Sequence, residues 1–252
     1  MSNSKKSILT STSIIGGSSL VTILLNIIKS KAVALILGPT GTGLIGALQS
    51  STNMIQTVSG LGINNSAVRD IAQANAKNSP EQLSITIKSL RKAVLVTGIL
   101  GLILTFFFAS PLSQFTFDSN EYLLEIRILS VAVFFNLIKS GQRALIQGMR
   151  HIKDLAKMSI LSALVGTLIS LPILYLYELE GVVYFLISAT IGQYIISFYY
   201  ARKIKIKNVK VSWQQAYEES KAMVKLGFSF MGGALAAVLG AYLIRVIIIR
   251  DL

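Results

Sequence analysis

The chain has 252 residues, of which 52% are hydrophobic, and its 24 Lys and Arg outnumber its 11 Asp and Glu. It has no cysteine, which excludes disulfides and thiolate metal sites. A nucleic-acid surface gathers its cations on one folded face together with aromatic stacking groups. Here the cations flank long apolar runs, so nucleic acid is not an expected partner.

Seven apolar runs follow one another along the chain. They span residues 10–37, 42–63, 93–112, 123–147, 155–177, 181–201 and 224–249. Each is near or above the roughly 20 residues that a helix needs to cross a bilayer. The sequence therefore predicts an all-α integral membrane protein with seven transmembrane helices.

The connections between these runs alternate in charge. Most of the 24 Lys and Arg lie at the N-terminus, in the second-to-third and fourth-to-fifth connections and in the sixth-to-seventh linker. The opposite connections hold Asp118, Glu121, Glu178 and Glu180, with no Lys or Arg in the turns themselves. By the positive-inside rule the N-terminus and the basic connections are predicted to be cytoplasmic.

The fourth run has a stripe of polar and cationic residues at helical spacing. Asn136, Lys139, Arg143, Gln147 and Arg150 follow one another at steps of three or four residues, which places them on one helix face. Ionisable groups within a membrane normally face a protein interior or a water-filled cavity. The stripe predicts a cationic path, although Arg143 and Arg150 are also placed to extend toward lipid headgroups.

The second run has a stripe of amides. Gln49, Asn53 and Gln56 share one helix face. An amide both donates and accepts hydrogen bonds, as recognition of a sugar hydroxyl requires. Interhelical hydrogen bonding is an equal alternative for these three residues.

Three further cations lie within apolar runs. Lys29 and Lys31 belong to the outer half of the first run, and Arg245 has a corresponding position in the seventh. Extension toward the headgroups accounts for some of them, but two lysines so close on one span are hard to place entirely in lipid. At least one is expected to point into the protein.

Several connecting features have structural interpretations. Residues 38–43, GPTGTG, suit a tight outer turn, and residues 66–77 a short amphipathic helix on the cytoplasmic surface. Glu125 and Arg127 are expected to form an ion pair near the outer end of the fourth run, which leaves no deep carboxylate for proton coupling. No phosphate-binding loop of the form GxxxxGK[ST] is present, so ATP hydrolysis by this chain is not expected.

Four segments carry a resemblance to a known family. They are SKAVALILGPTGTGLIGALQ (30–49), GLGINNSAVRDIAQA (60–74), GQRALIQGMRHIKDLAK (141–157) and KLGFSFMGGALAAVLGAYLIRVIIIRDL (225–252). In their order and spacing the chain resembles bacterial O-antigen flippases, which are polysaccharide transporters of the multidrug/oligosaccharidyl-lipid/polysaccharide export superfamily.

The resemblance implies two six-helix lobes that alternate between inward-open and outward-open states. Residues 1–203 would form the first lobe, 204–219 a basic cytoplasmic linker, and 220–252 the first helix of an incomplete second lobe. The chain would thus be an N-terminal half in the bacterial inner membrane.

The implied cargo is an O-antigen repeat unit on undecaprenyl pyrophosphate, carried to the periplasmic leaflet for lipopolysaccharide biosynthesis. The cationic candidates for its headgroup are Lys29, Lys31, Lys139, Arg143 and Arg245, with Gln49, Asn53, Gln56 and Asn136 as the polar candidates. Implied partners are the lipid-linked oligosaccharide, membrane lipids, a polysaccharide polymerase and the chain-length machinery. No cofactor or metal is implied.

The sequence is also compatible with other functions. A multidrug or other small-solute exporter of the same fold is the first alternative, although a cation exporter needs carboxylates where this chain has Lys and Arg. An inactive fragment is another. A membrane enzyme such as a glycosyltransferase or polymerase is disfavoured because the sequence has no D-x-D pair and its outer loops are short.

Overall fold

The computed structural model describes residues 2–77 and 79–250, with side chains at 10–77 and 79–247. No β-strand occurs in these residues. The helices are α1 (Ser2–Ser59), α2 (Ile63–Ala76), α3 (Pro80–Phe107), α4 (Ala109–Phe117), α5 (Leu123–Gly148), α6 (Ile152–Tyr177), α7 (Val182–Arg202) and α8 (Trp213–Arg250). Lys5 and Lys6, used above to orient the chain, lie outside the described side chains.

Helix α1 folds back on itself at Gly38. This residue has φ 67° and ψ −167°, a conformation that glycine adopts without strain, and Pro39 follows it. Asn26 and Gln56 would lie about 45 Å apart along a continuous helix, yet both line the same cleft. The chain therefore turns at Gly38, but the turn is shorter than the predicted 38–43 because helix resumes at Pro39; α1 consists of a first arm (2–37) and a second arm (39–59).

The seven predicted apolar runs correspond to the two arms of α1 and to α3, α5, α6, α7 and α8. Of the helices described, five are long and apolar enough to span a membrane, including α1 from Thr10 to Ser59. The 26-residue α5 has sufficient length too, but Asn136, Lys139 and Arg143 reduce its apolar character. The predicted all-α integral membrane fold is confirmed.

One end of the bundle brings together α2, the α5–α6 turn and the segment 203–212 between α7 and α8; we call it the basic end. Helix α2 packs on the end of α5, where a Cβ at Gly148 would lie 2.7 Å from that of Ile71. Helix α3 begins here with Ser79 accepting a hydrogen bond from the Gln82 amide and Pro80 in its first turn.

The segment 203–212 runs along α3 near Lys88 and Lys92. Lys88 Nζ donates to the Val209 carbonyl, and Lys92 Nζ donates to the Val211 carbonyl at 2.8 Å and lies 4.5 Å from the centre of the Trp213 ring. Since α8 begins at Trp213, the last part of the predicted linker 204–219 is helical. We call the segment 203–212 the strap; Lys88 and Lys92 bind its backbone carbonyls.

Helix α8 packs against the bundle at two levels. At the basic end its Gly227 crosses Gly62 so closely that a Cβ on Gly62 would lie 2.1 Å from the Gly227 carbonyl oxygen. Near the opposite end Tyr242 Oη and Thr116 Oγ1 are 2.6 Å apart, and Thr116 Oγ1 lies 3.2 Å from Ser51 Oγ. These contacts fix α8 to the α1–α2 turn, to α4 and to the second arm of α1.

Two apolar clusters divide the interior by depth. The cluster at the basic end includes Ile71, Leu90 and Leu145, and the cluster at the opposite end includes Leu48, Leu129 and Phe185. On α5 the residues 136–143 fall between the two clusters. These are the residues that the sequence marks as polar, so the polar site lies at mid-depth in the bundle.

Candidate functional site

A polar cleft of about 520 Å³ opens between the two arms of α1 and helices α5, α6 and α7. The side chains that line it are mostly amides, hydroxyls and cations. They are Thr22, Asn26, Gln56, Asn136, Lys139, Ser140, Arg143, Met158, Ser159, Ser162, Ala163, Gln193 and Ser197.

Lys139 is the half-buried cation of this cleft. Its ammonium donates to Asn136 Oδ1 on the same helix and to Gln193 Oε1 on α7, each at 2.7 Å. The two amide oxygens replace water as hydrogen-bond partners and thereby stabilise the charged form away from bulk solvent. An ammonium has three N–H groups, so one donor stays available to a ligand.

Arg143 lies one helical turn from Lys139 and is exposed to the cleft. It also lines an adjoining cavity of about 220 Å³, whose walls include the hydroxyls of Ser18 and Ser19 on the first arm. Thr22 and Ser159 border both spaces. The cleft and the adjoining cavity thus form one polar surface that follows α1 and α6 toward the basic end.

The electrostatics of the cleft are positive throughout the described residues. Neither Lys139 nor Arg143 forms an ion pair with a described carboxylate, and no Asp or Glu lines the cleft. Arg143 and Lys29 both repel the Lys139 ammonium. A ligand that carries negative charge relieves this repulsion, whereas a cation adds to it.

Lys29 lies beside the cleft rather than in its wall. It is half-buried, and its ammonium lies 4.6 Å from the centre of the Phe185 ring. Such a cation–π contact stabilises a charge without a carboxylate partner. Lys31, two residues further along, is exposed and does not line the cleft.

Arg245 lies between α8 and the second arm of α1. Its guanidinium donates to the Gly46 carbonyl and to Ser50 Oγ. These protein groups engage its donors outside the polar cleft. Of the five predicted cations, the structure therefore brings Lys139 and Arg143 into the cleft wall, places Lys29 next to them, and puts Lys31 and Arg245 elsewhere.

The predicted amide stripe divides in the same way. Gln56 and Asn136 line the cleft, whereas Gln49 and Asn53 are exposed on the second arm. Gln56 Nε2 lies 3.4 Å from Asn53 Oδ1, so the described bond within the stripe joins two residues of one helix rather than two helices.

Sequence reasoning missed several members of the cleft, above all Gln193 and Asn26. Gln193 is the single amide of α7, and Gly166 of α6 leaves the space for it, since a Cβ there would lie 3.1 Å from its Nε2. Gln193 and Asn26 are each the lone amide of an apolar run, and this feature of the sequence could have identified them as members of the cleft. Ser162 Oγ is buried in the cleft region without a hydrogen-bond partner among the described residues.

The predicted Glu125–Arg127 ion pair is wrong. The Arg127 guanidinium lies 5.2 Å from the centre of the Phe106 ring, and Glu125 Oε2 is buried with no hydrogen-bond partner in the described part of the chain. Residues two apart on a helix point in different directions, which separates the two side chains.

The fold and the cleft define a multi-pass helical membrane protein with an electropositive site at mid-depth. Residues 8–252 match the family described as "Polysaccharide biosynthesis protein", and the chain belongs to that family. Its relatives include proteins named "Lipid III flippase" from Escherichia coli (strain K12) and from Shigella flexneri. Each is 28% identical to the chain over 165 residues, which are 65% of this chain and 38% of the relative.

A solved structure with the same fold is titled "Outward-facing conformation of a multidrug resistance MATE family transporter of the MOP superfamily". The TM-score is 0.64 at 15% sequence identity, and the match covers 84% of this chain and 49% of the transporter. The chain thus has the fold of about half of that transporter.

Proposed function

We propose that this chain takes part in moving a lipid-linked oligosaccharide from one membrane leaflet to the other, with the headgroup phosphates held at Lys139 and Arg143. The observation that carries this proposal is a mid-depth cleft with two cations and no carboxylate among its lining residues. The family and the flippases among the relatives support the same class of cargo. In the finer proposal the carrier is undecaprenyl pyrophosphate and the sugar an O-antigen repeat unit.

The chemistry of the cleft suits such a headgroup. An unpaired phosphate is very costly in hydrocarbon, and Lys139 and Arg143 supply opposite charge with charge-assisted hydrogen bonds. Asn26, Gln56 and Ser162 offer hydrogen bonds to sugar hydroxyls. The apolar tail needs no such shelter and stays in the bilayer during transfer.

In the proposed orientation the basic end faces the cytoplasm of a bacterial inner membrane. Moving two negative charges outward is then favoured by about 4–5 kcal/mol per 100 mV of inside-negative potential. The polar surface from Ser18 to Arg143 reaches toward the basic end, which is where a cytoplasmic headgroup would enter. Transfer then follows from alternation between this lobe and a second one.

A multidrug exporter shares the fold, but the described cleft is poorly suited to organic cations. Such a cargo would meet Lys139 and Arg143 without a lining carboxylate to offset them. The likeness to the multidrug transporter concerns the fold alone. The two functions therefore predict ligands of opposite charge.

The test compares variants in a strain that lacks its oligosaccharide flippase, with the second lobe of a related flippase co-expressed. We expect Lys139→Met and Arg143→Met to reduce surface polysaccharide while the protein still inserts, because each removes a charge-assisted bond worth about 1.5–3 kcal/mol, or at least tenfold in headgroup affinity. Lys153→Met is the matched control, since Lys153 is an exposed cation outside the cleft. Unchanged export by both cleft variants would exclude the proposed headgroup site.

A further inference from the structure

Another cavity, of about 400 Å³, lies between α3, α5 and α7. Its wall is almost wholly apolar, with Leu95, Ile138 and Phe198 contributed by the three helices. We call it the apolar groove. It lies on another face of α5 from the polar cleft, because Ile138 and Gln142 line the groove while their neighbours Lys139 and Arg143 line the cleft.

A hydrogen bond connects the wall of the polar cleft to the wall of the apolar groove. Ser197 of the cleft donates to the side-chain carbonyl of Gln142 in the groove. This bond engages an amide oxygen that would otherwise be a polar group facing the groove. Most of the remaining groove wall is apolar and is suited to hydrocarbon.

Two arginines line the part of the groove that is nearer the basic end. Arg91 precedes Leu95 by one turn of α3, and Arg202 is the last residue of α7. Both are exposed, and neither forms an ion pair with a carboxylate of the described residues. The groove thus combines an apolar wall with two unpaired guanidinium groups at one end.

The position of Arg202 relates the groove to the membrane. The apolar α7 ends there, and the next residue, Lys203, lies 4.4 and 4.6 Å from the ring centres of Tyr199 and Tyr200. Basic and aromatic residues at the end of an apolar helix mark the headgroup level of a bilayer. From that level the groove extends along α7 to Tyr194, about 12 Å into the hydrocarbon.

We propose that the apolar groove binds an anionic phospholipid of the surrounding membrane, with an acyl chain along Leu95, Ile138 and Phe198 and the phosphate between Arg91 and Arg202. Charge complementarity selects this occupant, since guanidinium groups bind phosphate through paired hydrogen bonds. An amphiphile satisfies both parts of the groove at once. The bound lipid joins α3 to α7 next to the strap 203–212.

The test uses the purified chain in detergent and two lipids with identical acyl chains, phosphatidylglycerol and phosphatidylcholine. Native mass spectrometry measures the lipid retained. Two arginines near the headgroup predict a preference of about thirty-fold for phosphatidylglycerol. Arg91→Gln combined with Arg202→Gln should abolish this preference, whereas Leu95→Trp should reduce retention of both lipids.

Arg69→Gln is the matched control, because Arg69 is an exposed arginine on α2 outside the groove. It should retain the preference, and the elution volume on size exclusion shows whether each variant stays folded. Equal retention of the two lipids by the unchanged chain would overturn the proposal, as would an intact preference in the double variant. A further outcome would also overturn the proposal: displacement of phosphatidylglycerol by a sub-stoichiometric amount of undecaprenyl phosphate, in a way that depends on the same arginines. That result would assign the groove to the carrier lipid.

Discussion

The crossing of Gly62 and Gly227 decides whether α8 can dock on the rest of the chain. Gly62 has φ 63° in the left-handed region, and a Cβ there would lie 2.1 Å from the Gly227 carbonyl oxygen. A Cβ on Gly227 would in turn lie 2.3 Å from the Leu61 carbonyl oxygen. Gly62→Ala therefore introduces backbone strain and a clash in one change.

The size of the effect follows from these two terms. An alanine in the left-handed region costs roughly 1–2 kcal/mol. Relief of the clash requires α8 to move by about 1 Å or more, since carbon and oxygen pack at more than 3 Å, and overpacking of this kind costs about 1–3 kcal/mol. We expect Gly62→Ala to lower the free energy of unfolding by about 2–5 kcal/mol.

The assay is unfolding by heat or by added SDS in detergent micelles, followed by the fluorescence of Trp213, the single tryptophan and the first residue of α8. Gly232→Ala on the same helix is the control, because its added Cβ would lie within 4 Å of no described atom beyond its chain neighbours and the backbone of its own helix. It should not destabilise the protein. Equal stability of Gly62→Ala and the unchanged chain, or equal losses in both variants, would refute the reasoning.

Three further predictions concern contacts outside the cleft. Burial raises the pKa of Asp70 on α2, so its contribution to stability is present below its unfolded pKa of about 4 and is lost as the pH rises through the folded value. Asp70→Asn should raise the midpoint of thermal unfolding near neutral pH and flatten its pH dependence. Tyr242→Phe removes the hydroxyl that bonds to buried Thr116 and should cost about 0.5–1.5 kcal/mol of unfolding free energy. Lys92→Met removes the ammonium over the Trp213 ring and should change the emission spectrum of Trp213 and speed proteolysis within 203–212.

Each of these predictions has a control at a residue of the same type. Asp154→Asn, at a partly exposed carboxylate paired with His151, should not reproduce the Asp70 effect at neutral pH. Tyr217→Phe changes an exposed tyrosine of α8 and should leave stability unchanged. Lys221→Met should leave Trp213 emission unchanged because Lys221 is exposed outside the strap. If a control variant changes the measured property as much as its test variant does, the proposed role of the corresponding contact is wrong.

Lys29 adds to the positive charge near Lys139. The two cations repel one another, and Lys29 is stabilised by the Phe185 ring rather than by a carboxylate. A negatively charged ligand in the cleft reduces this repulsion.

Periodicity alone was sufficient to predict the helices and much of the polar stripe. The seven apolar runs are long enough that local composition determines each helix, and Gly38 followed by Pro39 marks the turn in α1. The three-and-four spacing of Asn136, Lys139 and Arg143 places them on one face whatever surrounds α5. These predictions needed only helical geometry.

Packing between helices decides which face of each helix lies toward the protein interior. Lys31 and Lys29 both lie within the first arm, yet one is exposed and the other lies against Phe185, because that ring comes from α7. Arg245 donates hydrogen bonds to Gly46 and Ser50 of α1, which lie almost 200 residues earlier in the chain. Glu125 and Arg127 are close in sequence but separated by the direction of their side chains on the helix.

The sequence by itself thus determined that this is an all-helical membrane protein and which residues carry charge at depth, since both follow from the composition and period of single segments. Only the tertiary structure decided that Gln193 of α7 completes the Lys139 site, that α1 folds its two arms around the same cleft, and that a separate groove ends at Arg91 and Arg202. The physical reason is that a binding site is formed by contacts between helices, and those depend on how distant segments pack.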